Sequence, residues 1–196
     1  MLADLALEME GVVALVMRLC RALDYAADDP REAAYARLIT PAAKFRICKI
    51  APAFAFEAME CLGGNGYVEE SIMPRLYREA PVNAIWEGSG NVMCLDVLRA
   101  LKGEEEHALF QTLAHEAGVE ESGPNAQAPS EALARVTVER LALLASAAAL
   151  RGSAPPLGAD HFVRSRLAGT HGALYGALDI DPAATELLLQ RALPAR

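Results

Sequence analysis

Two glycine-containing turns carry the residues whose types and spacing suit chemistry. Gly63, Gly64 and Gly66, in the run LGGNGY, can take positive φ and let a second backbone or a ligand phosphate come close. Glycines so placed also end helices, and taken alone they favour a helix C-cap followed by a turn. In the second turn Glu87 stands directly before Gly88, Ser89, Gly90 and Asn91, where a helix is expected to begin. Ser89 or Asn91 suits the cap of that helix, and a carboxylate in front of it is favoured by the helix dipole. Trp86 beside it is of a type that more often anchors a core than offers a ligand a flat platform.

The other polar groups point to structure. Arg75, Arg78 and Glu79, three and four apart, read as an ion-pair network on a short helix. His107, His115, His161 and His171 show no ligand spacing, and no metal is expected. Cys20, Cys48, Cys61 and Cys94 are scattered among apolar residues without a CxxC pattern, which suits reduced core thiols.

Helices must position these turns. Leu5, Met9, Val12, Val16, Leu19 and Leu23 alternate at three and four, one face of a long helix that Asp28, Asp29 and Pro30 end. A second helix from Arg31 is expected to stop near Thr40, with Pro41 opening a third. Its stripe of Phe45, Cys48, Pro52, Ala55, Met59 and Leu62 runs to Gly63 and Gly64, with a kink at Pro52. The pattern then gives a short helix over 71–79, an extended stretch over 81–86 and a helix over 89–101. Residues 118–130 suit a linker, and helices follow over 131–150, 160–175 and 182–193. Alternating β-branched runs are absent, so the expected fold is all-α, an up-down helical bundle over residues 1–103 with a helical extension over 104–196.

The chain has 196 residues, 53% hydrophobic and 22% charged, a globular composition. A net charge of -8 gives the surface no general attraction to nucleic acid or anionic lipid. The apolar runs are too short to cross a bilayer and the N-terminus is acidic, which predicts a soluble, cytoplasmic protein.

Taken together, LGGNGY, PRLYREAPV and IWEGSGN resemble the last bundle segment of the acyl-CoA dehydrogenases, with wording nearest the AidB-like branch. The resemblance covers residues 1–101, and more weakly the tail containing SRLAG. It implies that Glu87 abstracts the α-proton of an acyl-CoA thioester while FAD accepts a hydride from the β-carbon. It also implies that Gly88, Ser89 and Asn91 line that FAD, and that Gly63 and Gly64 meet the adenosine diphosphate of a neighbouring subunit's FAD in a homo-oligomer, a tetramer in the family. Glu60 stands where the family usually has a glutamine, and a carboxylate cannot donate to a phosphate. Complete enzymes also carry an N-terminal helical domain and a β-domain, so the resemblance implies a partial chain, inactive alone. Two rival roles remain: the DNA binding associated with the AidB-like C-terminal region, or a tetramerisation module. Against DNA, residues 104–196 hold seven Arg, no Lys and twelve Asp or Glu.

Overall fold

The computed structural model describes residues 1–119, 130–153, 155–169 and 174–193. The linker expected over 118–130 lies outside them apart from its ends, as does His171. Every regular element among the described residues is helical, and no strand is present. None of these helices is long and apolar enough to cross a membrane.

Helix α1 spans Leu2–Tyr25. Asp29 then caps α2, accepting from the Arg31 amide at 2.8 Å, and Pro30 occupies the first turn, where its missing N–H costs nothing. α2 runs unbroken over Pro30–Glu60, so the stop expected at Thr40 does not occur. Leu38, Ile39, Ala42, Ala43 and Phe45 are all buried around Pro41, and their packing holds the helix through the lost hydrogen bond. α3 (Gly64–Tyr67) and α4 (Met73–Glu79) follow. The stretch expected to be extended is instead a 3-10 helix, Ala80–Ala84, because Pro81 in its first turn already has a helical φ. α5 covers Gly90–Ala100.

Beyond it α6 (Glu104–Glu116) opens with three glutamates that suit its N-terminal dipole. A 3-10 turn, Glu131–Leu133, leads into α7 (Ala134–Ser153). The helix expected over 160–175 begins earlier and ends earlier: α8 is Pro156–Phe162, with Pro156 in its first turn. A π-helical turn, Val163–Leu167, finishes it before Gly169 at φ +73. α9 is Pro182–Ala192, capped by Asp181.

The core joins both parts of the chain. α7 packs against α1, α2, α5 and α6, burying Val138, Leu141, Leu144 and Leu150 among Leu7, Leu15, Leu38 and Ile39. Ala142, Ala145 and Ala147 on α7 let the helices approach closely. Gly11 does the same for α8: a Cβ there would run into the fully buried Phe162 ring.

α1 buries Leu7, Gly11, Leu15 and Ala22, whereas Met9, Val16 and Leu23 of the expected stripe are exposed. Of the four thiols, Cys94 alone is buried; Cys20 and Cys61 are exposed, so the core-thiol expectation fails for these two. All four are free.

The extension is tied to α1 by buried charges. Arg166 of the π-turn pairs with Asp4 and donates its Nε to Glu8 at 2.8 Å. Arg46 on α2 reaches the other Glu8 oxygen at 2.6 Å, and the Gly176 amide donates to Asp4 at 2.7 Å. The side chains of all four charged residues are buried. Burial alone would raise the Glu8 pKa, but the Arg46 and Arg166 guanidiniums reverse that and hold it below its ordinary 4.5. At the surface, Arg191 of α9 pairs with Glu10 at 2.6 Å.

Candidate active site

Glu87 lies in the turn between the 3-10 helix and α5. It has φ 55 and is the one residue other than glycine with positive φ among the described residues. Such a conformation costs on the order of 1 kcal/mol or more and persists only where its surroundings impose it. Gly88 follows at φ +108, which glycine adopts freely. Ser89 holds the N-cap position of α5 in extended conformation, but its side chain makes no capping bond. Asn91 does not cap either, since its Oδ1 accepts from Arg135 at 3.1 Å. The first-turn amides of α5 thus receive no side-chain cap, and both capping expectations fail.

The turn is open on its outer side. Glu87 and Ser89 are exposed, Ile85 is 69% exposed and Trp86 55%, so Trp86 is not the core anchor its type suggests. An acidic group, an uncapped helix start and two uncovered apolar side chains therefore share one surface.

Two basic residues that no motif announced support this turn from behind. Lys44, half-buried on α2, directs its ammonium at the Asn83 carbonyl, at the Trp86 carbonyl (3.1 Å) and at the Gly88 carbonyl (3.4 Å). Arg135, the second residue of α7, bonds Asn91 while its guanidinium lies 5.5 Å from the centre of the Phe45 ring. A lysine inside the apolar α2 stripe was the only signal for the first, and none existed for the second.

The glycine turn sits elsewhere. Gly63 and Gly64 follow the C-terminal end of α2, which lies about 24 Å along the helix from Lys44 at 1.5 Å per residue. Gly63 has φ 59 and ψ -144, a combination close to the region only glycine populates. A side chain added at Gly63 or Gly64 would meet nothing within 4 Å, so this backbone is open to a ligand or a second chain. Gly66, in contrast, is buried against the Met59 carbonyl. The two turns therefore belong to different surfaces of this chain. Glu60 is exposed, and its carbonyl accepts from Gly63 at 2.9 Å. Arg78 pairs with Glu69 at 2.7 Å, a residue of the preceding loop that the helix spacing did not indicate. Among the described residues no group of His, Cys, Asp or Glu is placed to hold a metal ion.

Comparison with known proteins bears on these surfaces. The model of the acyl-CoA dehydrogenase C-terminal domain matches residues 1–102. The acyl-CoA-dehydrogenase-type protein AidB of Escherichia coli (strain K12) is 49% identical over 170 residues, covering 80% of this chain and 31% of AidB. Acyl-CoA dehydrogenase family member 11 of Caenorhabditis elegans is 39% identical over 107 residues, 53% of this chain and 17% of that protein. The crystal structure of Caenorhabditis elegans ACDH-11 in complex with C11-CoA shares the fold at a TM-score of 0.67 and 22% identity, covering 96% of this chain and 38% of that one. The chain thus spans 17–38% of the length of these relatives.

Proposed function

Because the chain belongs to the acyl-CoA dehydrogenase family, on its AidB-like side and through the C-terminal domain, we propose that it supplies the base to α,β-dehydrogenation of an acyl-CoA thioester. The observation that carries this reading is the conformation of Glu87, an exposed carboxylate held at positive φ before an uncapped helix. Strain of this kind gathers where a side chain must be aimed.

FAD is the cofactor this reading requires, and the residues present fit it. Gly88, Ser89 and Asn91 offer backbone and short polar side chains at the α5 start, suited to a polar, anionic ligand. Gly63 and Gly64 present uncovered backbone to the adenosine diphosphate of a neighbouring subunit's FAD. When bound, the flavin supplies a hydride acceptor for the β-carbon. Glu87 takes the α-proton on its carboxylate, and covering Ile85 and Trp86 removes water from around it. We place the working protein in the cytoplasm as a homo-oligomer.

The test grafts this chain in place of the matching segment of Escherichia coli AidB. The graft is expected to bind flavin and to bleach it on addition of an acyl-CoA thioester under anaerobic conditions. The 196-residue chain alone is expected to hold far less than one flavin per chain, because its site is uncovered. A graft with full flavin that no acyl-CoA reduces would refute the activity.

A nucleic-acid role is disfavoured by where the arginines of the extension go. Arg135 binds Asn91, Arg140 the Leu167 carbonyl, Arg151 the Ala117 carbonyl and Arg164 the Asp179 carbonyl. Arg166 is buried with Asp4 and Glu8, and Arg191 pairs with Glu10. Arg196 lies outside the described residues. Arg151, Arg166 and Arg191 are paired with carboxylates, Arg151 with Asp160 at 3.0 Å, which leaves the extension fewer uncompensated charges to displace counterions from phosphates. Duplex DNA titrated in a fluorescence anisotropy assay at physiological salt is expected to bind more weakly than about 1 μM, near the non-specific range. Tighter, salt-sensitive binding would show that these pairs open for DNA.

A further inference from the structure

We infer that Lys44 is the positioning residue of the candidate active site: its ammonium fixes the turn that aims Glu87. This rests on the reading of Glu87 as the base. Lysine has three donor hydrogens and no acceptor, and here three carbonyls converge on it, those of Asn83, Trp86 and Gly88. Trp86 and Gly88 are the residues on either side of Glu87, so the ammonium grips the backbone immediately before and after the carboxylate-bearing residue. That grip offers a physical cause for the φ of 55 at Glu87, since a relaxed backbone there would carry one of the two carbonyls away from the shared donor.

The grip is itself anchored. Lys44 extends from the part of α2 most firmly held in the core, with Ala42, Ala43, Phe45 and Arg46 buried around it. The turn has few supports of its own: the Ile85 and Trp86 amides both return to the Val82 carbonyl, at 2.9 and 3.2 Å, and Glu87 is exposed. Arg135 holds Asn91 further on, but Lys44 is the side chain whose hydrogen bonds flank Glu87 itself, which makes it the control point for the direction of the Glu87 carboxylate.

The test has two independent readouts. Amide hydrogen exchange of the 196-residue chain is compared with that of Lys44→Met, which keeps an unbranched apolar stem, ends one atom short of the ammonium and removes its donors. Segment 83–90 is expected to exchange roughly ten- to hundredfold faster, as loss of hydrogen bonds to a charged group implies, while α7 is unchanged. If Lys44→Met does not fold, Lys44→Gln, which stops one atom short, is measured by the same criterion. Exchange of segment 83–90 within about twofold of the parent overturns the inference.

In the AidB graft, Lys44→Met is expected to slow flavin reduction at saturating acyl-CoA roughly ten- to hundredfold, the usual consequence of misplacing a reacting group by about an ångström. Half-saturation by the thioester should hold within a few-fold, and Lys44→Arg should recover most of the rate. A reduction rate unaffected by Lys44→Met while Glu87→Gln abolishes it also overturns the inference. Failure of the base reading looks different: Glu87→Gln then leaves reduction intact, while the exchange experiment still decides whether Lys44 holds the turn.

Discussion

Replacing Glu87 by Gln in the graft is expected to leave flavin content and thioester binding intact and to cut thioester-dependent flavin reduction by about a hundredfold to ten-thousandfold, the range for loss of one positioned base. The amide has nearly the shape of the carboxylate, so the turn is left as it is, but it cannot accept the α-proton. Stopped-flow absorbance of the flavin band gives the rate directly, and a variant within a few-fold of the parent would mean that another group removes the proton. A purely structural Glu87 predicts a different result: loss of a dipole contact costs roughly 1 kcal/mol of stability or less and leaves the rate alone. Thermal midpoint and reduction rate measured on one preparation separate the two.

The second large effect concerns the buried charges between α1, α2 and the π-turn. Arg166→Met should destabilise the chain by about 3–5 kcal/mol, because Asp4 loses its guanidinium and Glu8 one of two, both inside the protein. For a chain of this length that corresponds to a fall of roughly 6–20 °C in Tm. A fall of about 2 °C or less would show that water reaches the acids. The pH dependence has a definite sign. Glu8 has a folded pKa below its ordinary 4.5, so its contribution is present at pH values above the unfolded value and is lost as pH falls through the folded one. Acid should therefore unfold the parent more readily relative to pH 7 than a variant in which Glu8 and its partners are all apolar.

Much of the bundle was legible in the sequence, and the failures have particular causes. The length of α1 follows from its apolar spacing, but its buried face does not, because the helix is apolar on several sides. Spacing weighs large residues such as Met9, Val16 and Leu23, whereas the close contacts are made at Gly11 and Ala22, which carry no hydrophobic signal. At Pro41 local propensity argued for a break, and burial of the residues on either side of it prevailed. The 3-10 helix over Ala80–Ala84 was missed because a proline reads equally as the start of a turn or of an extended stretch.

In the candidate site, the motif located Glu87 and its glycine, but neither the grip of Lys44 nor the reach of Arg135. Those depend on α2 and α7 passing behind the turn, and sequence spacing holds no trace of that. Asp4 and Glu8 show the same limit. No motif ties them to their partner Arg166, which lies 162 and 158 positions away.

That separation sets a waiting time during synthesis. At about 5–20 residues per second, Asp4 leaves the ribosome roughly 8–32 s before Arg166 exists to meet it. Through that interval α1 has its Leu7 and Leu15 face uncovered by α7, and Phe162 has not arrived to fill the space above Gly11. α1 is thus made before the other helices described here yet is among the last of them to be completed, and a message cut short after α5 would yield it without Arg166 beside Asp4. The stretch that follows α5 acts in this respect as a checkpoint on the growing chain, whatever it contributes once folding is done.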